Sequence, residues 1–385
     1  MTLIPYCKQH INKIDKKIIN QSLNQDLITT GPFVKKFENS CKEFLNSKYV
    51  VSCNSGTSAI HLALLAVNLS KNEIVIMPAI NFIASFNMCK ILGAKIYLAD
   101  VDPVTGQMNP KNVIDCIAKN KIKKIKLIIT MYLGGSPENA AEFFKLKKKY
   151  SCYVIEDACH AFGAQYYYNN KKFVVGSCAH SDICTFSFHP AKTITTGEGG
   201  LISTNKKKIY EKLLLLRSHG IKRKDKHWEY TIEYSGFNYR ISDINCALGF
   251  SQLKRVGSII KKKAKLALLY IKFLKKYDKI CILPKYSKNS INAHHLFLTH
   301  FKFKNKISKE TFIKFMLKNN IILQIHYIPI FFFKKIFNSK KNVKKYFPGS
   351  IKYYKSCVSL PLYYDLNKKN LKFILYKIDQ FFKTS

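Results

Sequence analysis

The sequence contains little arginine and little acid. Only four of its 65 basic residues are arginine and the other 61 are lysine, against 23 aspartates and glutamates, so the formal net charge is +42. Nucleic-acid surfaces depend on arginine, because its planar fork binds phosphates and guanine edges in a bidentate way. Neither clustered arginine nor a basic groove with interleaved aromatics occurs. We therefore expect no nucleic-acid partner and place the surplus charge on the solvated surface, where it can attract an anionic substrate.

The sequence also has no CxxC pair and no long apolar run. Its 12 cysteines lie singly along the chain, which is typical of reduced thiols in a reducing cytoplasm. No stretch approaches the roughly 18–20 apolar residues that span a bilayer, and the first 17 residues contain no apolar signal-peptide segment. The sequence therefore predicts a cytoplasmic protein with no membrane partner.

Short apolar runs alternate with helical patterns between about residues 45 and 205. Seven of them are predicted as strands: Tyr49–Cys53, Glu73–Met77, Lys95–Ala99, Ile125–Tyr132, Cys152–Glu156, Ile183–Phe188 and Gly200–Thr204. Strands separated by helices in this way predict an α/β domain, with a largely parallel sheet between helices.

The C-terminal part of the chain has a different pattern of predicted helices and strands. A long helical stretch from about Ser242 to Lys275 leads into two strand candidates, HLFLTHFKF and IILQIHYIPI, with helices around them. At 385 residues the chain is long enough for two domains. We expect a large α/β domain over residues 1–250 and a smaller α+β domain over residues 251–385.

A turn rich in serine and threonine follows the first predicted strand. In Asn54-Ser55-Gly56-Thr57-Ser58, the glycine permits a tight turn and the next two N–H groups open a helix. The free N–H donors and positive pole of a helix N-terminus suit a phosphate. The alternative is an ordinary capped helix, since serine and threonine are good caps.

Two carboxylates, Glu156 and Asp157, end another apolar strand, and His160 follows closely. A carboxylate at this position can hold a metal, act as a base or pair with a cation. The alternatives are a helix cap for Asp157 and a hydrogen-bonded core histidine for His160.

One lysine has surroundings unlike those of the others. Lys192 lies in the window Thr185–Gly200, which has no other lysine and is rich in Ser, Thr, His and Gly. A lysine in such a pocket loses its proton more readily and becomes an amine nucleophile. Ser187 offers a hydroxyl to a phosphate. A fourth motif, Gly236–Arg240, precedes a helix and has an ordinary loop as its alternative. Ligands gather at the carboxyl ends of strands in open α/β sheets, where these motifs fall.

Together these segments resemble the sugar aminotransferases of the DegT/DnrJ/EryC1/StrS family over nearly the whole chain. The resemblance is carried by GPFVKKFE, NSGTSAIHLAL, VIEDACHAFGA, FSFHPAKTITTGEGG, LRSHG, NYRISDINCALGFSQL and HYIPI. It implies the type I aspartate-aminotransferase fold, pyridoxal 5'-phosphate as cofactor, and a homodimer whose subunits share active sites.

The resemblance also implies roles for individual residues. Lys192 would hold the cofactor as a Schiff base and then move protons, Asp157 would bind the pyridine nitrogen, and His160 would lie by the ring hydroxyl. Phe82 would stack on the ring. Sugar dehydratases of the family have histidine in place of the lysine, so Lys192 favours transamination, and no metal is expected.

The cofactor phosphate would be held by Gly56, Thr57 and Ser187, with Asn238 reaching it from the neighbouring subunit. Cys159 stands where relatives have a small alanine or serine, and we expect packing to tolerate the change.

Within the family, RSHGIKRKD and ILQIHYIPIFFFKKIF resemble the branch that acts in pseudaminic acid synthesis. That branch transfers an amino group from L-glutamate, which becomes 2-oxoglutarate, to C4 of a UDP-linked 4-keto-6-deoxy-N-acetylhexosamine of the L-altrosamine type. Thr30, Gly31, His326 and Tyr327 would lie near the sugar and nucleotide, with plain loop and strand structure as the alternative. Another nucleotide 4-keto sugar, of the perosamine or aminoarabinose type, is the alternative substrate.

Overall fold

The computed structural model describes residues 3–226, 228–284, 286–303, 308–337 and 342–383. Strands in these ranges are β1 (Tyr49–Cys53), β2 (Ile74–Pro78), β3 (Lys95–Ala99), β4 (Leu127–Met131), β5 (Tyr153–Asp157), β6 (Gln165–Tyr168), β7 (Lys171–Val174), β8 (Ile183–Ser187), β9 (Gly200–Thr204), β10 (Ile221–Arg223), β11 (Tyr230–Ile232), β12 (Cys281–Ile282), β13 (Ser290–Ile291), β14 (Phe297–Phe301) and β15 (Cys357–Leu360). The helices are α1 (Lys13–Leu23), α2 (Pro32–Leu45), α3 (Gly56–Ala66), α4 (Ile83–Ile91), α5 (Pro110–Asn120), α6 (Ala140–Tyr150), α7 (Lys207–Arg217), α8 (Asp243–Leu253), α9 (Val256–Leu274), α10 (Lys309–Lys318), α11 (Val343–Tyr346), α12 (Pro348–Ser356) and α13 (Lys368–Lys383).

The central sheet has seven strands in the order β1-β9-β8-β5-β4-β2-β3. The five strands from β8 to β3 are mutually parallel, and β9 runs antiparallel to both of its neighbours. The prediction of a mostly parallel sheet is confirmed, and the predicted strand bounds lie within two residues of the observed ones.

Alternating side chains of the central strands enter separate cores on the two faces of the sheet. Val75 and Met77 of β2 pack against α3, α4 and α7 on one face. Ile76, between them, packs with α5 and α6 on the other face. Strands covered on both sides read as continuous apolar runs, and all five residues of β4 are buried.

The C-terminal part of the chain builds a further core around the sheet β12-β14-β15. Apolar side chains of α9, α10 and α13 fill it, and Ile4 from the N-terminal arm joins them. The short strand β13 pairs with β6 instead, which ties this part to the large sheet region. The domain boundary near residue 250 stays a prediction.

Two details of the predicted elements are wrong. The helical stretch Ser242–Lys275 is two helices, because Arg255 leaves helical geometry and its guanidinium binds the Asp15 carboxylate. The segment IILQIHYIPI is not a strand. Its backbone pairs first with Ile4 and then with Ser359, and this change of partner prevents a continuous ladder.

All twelve cysteines lie in the described ranges and none forms a disulfide, and ten of them are buried. In the part of the chain that the structure describes, no helix is both long enough and apolar enough to cross a membrane.

Candidate functional site

A cavity of about 320 Å³ opens at the carboxyl ends of the central strands. Strands β4, β5 and β8 each contribute their last residue to its lining, because parallel strands end at the same edge of the sheet. Eight residues singled out in the sequence line it: Gly56, Thr57, Phe82, Asp157, His160, Ser187, Lys192 and His326.

The N-terminus of α3 forms one end of the cavity. The Ser55 side chain caps the helix by accepting from the Ser58 N–H at 3.0 Å. A Cβ on Gly56 would lie 2.7 Å from Cβ of Ser187, so only glycine lets the helix approach that strand end. The first N–H groups of the helix and the Ser187 hydroxyl therefore line one pocket, where they can donate to an anion.

The two adjacent carboxylates of β5 point to opposite faces of the sheet. Asp157 lines the cavity and is 3% exposed; its Oδ2 accepts from the Ser85 hydroxyl at 3.0 Å, and its Oδ1 accepts from the Cys159 N–H at 3.3 Å. Glu156 instead accepts from the Tyr132 hydroxyl at 2.6 Å, and burial raises its pKa. Of these two carboxylates, Asp157 is thus the one that can pair with a cation in the cavity.

Lys192 follows β8 and lines the same cavity as Asp157. Burial lowers the pKa of its amine, while the charge of the Asp157 carboxylate works in the opposite direction. Cys159 also lines this wall, and burial raises the pKa of its thiol well above the ordinary value. The thiol is therefore neutral and occupies space without adding a charge near Lys192.

His160 is held between a backbone amide and a phenol. Its Nδ1 accepts from the Gly134 N–H at 3.3 Å, and its Nε2 lies 2.9 Å from the Tyr327 hydroxyl. Burial lowers its pKa well below the ordinary value, so the ring is neutral. With Nδ1 accepting, the ring proton is on Nε2 and is donated to the Tyr327 oxygen. The phenol keeps its own proton for another acceptor.

An exposed aromatic and a buried histidine complete the side of the cavity near Tyr327. Phe82 is 53% exposed although it lines the cavity, and its ring centroid is 5.7 Å from that of Tyr327. His326 is buried, its Nδ1 lies 2.8 Å from the Ser359 hydroxyl, and burial lowers its pKa to about 3.

Four predicted residues lie outside the lining of this cavity. One of them, Tyr327, contacts the lining through its hydrogen bond with His160. Gly31 serves the fold, because its N–H donates to the buried Asp243 carboxylate at 2.7 Å, and Thr30 beside it is exposed. Asn238 is exposed on the loop before α8, where its carbonyl accepts from the Asn54 side chain at 3.3 Å. The roles assigned to these four residues stay predictions.

Sequence reasoning missed several lining residues. Tyr6 comes from the N-terminal arm, His295 from the segment before β14, and Glu198 from the loop after Lys192. His295 belongs to the motif AHHLF, whose two adjacent histidines beside an apolar run were an available signal. Its ring lies 4.2 Å from that of His160, between centroids.

Comparison with known proteins identifies the family of the chain. Residues 9–379 match the DegT/DnrJ/EryC1/StrS aminotransferase family. The chain belongs to this family, which confirms the predicted family, fold class and class of enzyme.

Among its relatives is a protein of Campylobacter jejuni (strain 81-176) named UDP-4-amino-4,6-dideoxy-N-acetyl-beta-L-altrosamine transaminase. It is 33% identical over 377 residues, covering 97% of this chain and 96% of the relative. GDP-perosamine synthase of Escherichia coli O157:H7 is 35% identical over 273 residues, 71% of each chain. Among solved structures, the PseC aminotransferase of Helicobacter pylori, described as involved in the biosynthesis of pseudoaminic acid, is 28% identical. It covers 100% of both chains with a TM-score of 0.88.

Proposed function

We propose that this chain is a pyridoxal-phosphate-dependent aminotransferase of pseudaminic acid biosynthesis. It transfers the amino group of L-glutamate to C4 of a UDP-linked 4-keto-6-deoxy-N-acetylhexosamine of the L-altrosamine type. The observation that carries the proposal is a single cavity in which Lys192 and Asp157 lie together beside the N-terminus of α3. The name of the relative from Campylobacter jejuni supports the choice of sugar, and the description of the Helicobacter pylori structure supports the pathway.

The lining of the cavity suits pyridoxal phosphate. Gly56, Thr57 and Ser187 form an end rich in N–H and O–H donors, which suits the phosphate, and the absent Cβ of the glycine leaves room for close contact. Asp157 suits a protonated ring nitrogen, and the exposed ring of Phe82 offers an apolar face to a pyridine. The volume of about 320 Å³ is in the range of small-ligand sites.

Bound pyridoxal phosphate supplies an electron sink for cleavage of the C–H bond beside the amino group. Lys192 binds the cofactor through its amine, and the lowered pKa helps that amine to lose its proton and return it. Asp157 keeps a positive charge on the ring nitrogen. His160 is neutral, and it orients the Tyr327 hydroxyl at the edge of the site.

The enzyme acts as a homodimer with shared active sites in the cytoplasm. Exposed apolar side chains cluster on the hairpin β10–β11 and on the loop that leads to Asn238, and such a patch suits a protein partner. From this surface Asn238 would contribute to the phosphate end of the partner's cavity. The twelve cysteines form no disulfide, which suits a reducing compartment.

A second candidate reaction is the amination of another nucleotide 4-keto sugar, of the perosamine or aminoarabinose type. The similarity to GDP-perosamine synthase of Escherichia coli O157:H7 favours this alternative over more distant ones.

Purified protein with pyridoxal phosphate and L-glutamate is offered a panel of UDP-, GDP- and dTDP-linked 4-keto sugars, and the amine product is followed by mass spectrometry. We expect the UDP-linked N-acetylhexosamine to be aminated, with formation of 2-oxoglutarate. The Lys192→Ala protein is the matched control and gives no product. Amination of only a GDP or dTDP sugar would rule out the pseudaminic acid assignment and leave the class of enzyme intact.

A further inference from the structure

Among the described residues, Lys263 is the only lysine that is buried, with 4% of its surface exposed. It lies on α9, between the exposed Lys262 and the half-buried Ala264. Removing an ammonium group from water costs several kcal/mol unless partners compensate, so its position calls for an explanation.

The ammonium group of Lys263 has no carboxylate within ion-pair distance in the described parts of the chain. It donates to the backbone carbonyl of His295 at 3.2 Å. Two other little-exposed basic groups are arranged differently: Arg217 pairs with Glu38 at 2.6 Å, and Lys147 pairs with Asp182 at 2.7 Å. Lys263 is therefore a positive charge that no acid neutralises.

Lys263 faces a second cavity, which it shares with Lys192. The cavity has a volume of about 20 Å³, enough for about one water molecule. Its lining includes no carboxylate; the titratable groups that line it are Cys7, Lys8, His10, Lys192, Tyr363 and Tyr364. His10 is bound to Asp365 at 2.8 Å, so that carboxylate already has a partner.

We propose that Lys263 is a positioning residue for Lys192: its ammonium group, buried against their shared cavity without an acid, disfavours a second positive charge on the Lys192 amine. Two like charges in one poorly solvated space repel each other, and the same interaction acts on both amines. A cationic neighbour is a known means of freeing the amine of a lysine nucleophile. The inference rests on the proposed function of Lys192.

The Asp157 carboxylate favours the charged form of Lys192 from the side of the larger cavity, but no described group near Lys263 supplies a negative charge that would offset the repulsion. Burial, and to a smaller extent the charge of Lys192, lower the pKa of Lys263 to about 8. Burial raises the pKa of the Cys7 thiol, so it offers no negative charge at neutral pH. The nearby imidazoles of His160, His294 and His295 are neutral for the same reason, since burial lowers the pKa of each.

The test measures the pKa of the Lys192 amine directly, without turnover. Full-length protein, stripped of cofactor with hydroxylamine, is labelled with a trace of acetic anhydride between pH 6 and 11, and each lysine peptide is quantified by mass spectrometry. In Lys263→Met we expect the pKa of Lys192 to rise by about one unit, which makes its free amine about tenfold scarcer near neutral pH. Lys263→Arg keeps the charge and should keep the lower pKa.

Lys261→Met removes an exposed lysine from the same helix and should leave the Lys192 curve unchanged. An unchanged or lowered pKa of Lys192 in Lys263→Met would overturn the inference. If that variant does not fold, the labelling curves of Lys192 and Lys263 in the unsubstituted protein provide the test. Coupled amines give curves broader than a one-proton titration, so one-proton curves for both lysines would reject the coupling. A failure of the proposed function would instead appear as absent cofactor binding or amination, whatever these curves show.

Discussion

The wall of the cavity around Asp157 and His160 is buried, whereas the hairpin β10–β11 is exposed to solvent. On the wall, Asp157 and His160 are 3% and 2% exposed, and both are held by hydrogen bonds from neighbouring segments. On the hairpin, Trp228, Tyr230 and Ile232 are 63%, 57% and 59% exposed. Segments of one chain hold these two residues of the wall, whereas the hairpin presents apolar surface of the kind that protein interfaces cover. We therefore expect the chemistry at the wall and propose the hairpin as the surface for assembly.

The largest effect is expected from replacing Lys192, which lines the cavity. Without this amine the cofactor has no covalent attachment in the cavity, so Lys192→Ala should abolish the visible absorption of lysine-bound pyridoxal phosphate. It should lower turnover at least about 1,000-fold. Borohydride reduction followed by peptide mapping measures the attachment. Lys261→Ala, on an exposed face, is the control, and a label found on another lysine with turnover retained would refute the assignment.

A smaller effect is expected where the hairpin is made polar. Trp228→Ser combined with Ile232→Ser removes two large apolar side chains from the proposed interface, which should weaken self-association by about 4 kcal/mol. Sedimentation velocity over a concentration series measures the change. Leu268→Ser removes a side chain that is 61% exposed on α9, away from the hairpin, and should have no effect. Equal dissociation of both proteins would mean that the hairpin is not the interface.

The smallest effect concerns the neutral histidines of the wall. His326 has a pKa of about 3 in the folded protein, against an ordinary value of 6.5. As the pH falls below about 6.5 the unfolded chain takes up a proton that the folded protein does not, so the free energy of unfolding decreases until about pH 3. For this one group the loss is roughly 2 kcal/mol at pH 5.

Urea unfolding at pH 7 and pH 5 measures this loss. The His326→Gln protein should lose roughly 2 kcal/mol less than the unsubstituted protein between these two values. His189→Gln, at an exposed histidine, should keep the full pH dependence. If His326→Gln showed the unsubstituted dependence, the buried imidazole would not be the group that titrates.

The central sheet was predictable because its strands are short apolar runs with both faces covered, a pattern that local sequence carries by itself. The segment IILQIHYIPI has the same local pattern, but distant Ile4 and Ser359 divide its backbone pairing. The site shows the same limit. Asp157 ends β5, and Lys192 lies five residues after the end of β8, so the strands position both. Tyr6 and His295 instead reach the cavity from segments whose placement depends on tertiary packing.

Because Glu156 and Asp157 point to opposite sides of the sheet, a shift of β5 by one residue would change which acid lines the cavity. A strand has only two sides, so deleting one residue upstream in β5 would exchange them. The acid bound to Tyr132 would then face the cavity, and the apolar residues before it would change sides as well. The number of residues in β5 is therefore constrained more strictly than their identity. Insertions and deletions that diversify the site therefore have to occur in the loops that follow the strands, because side chains in a loop do not alternate between two faces.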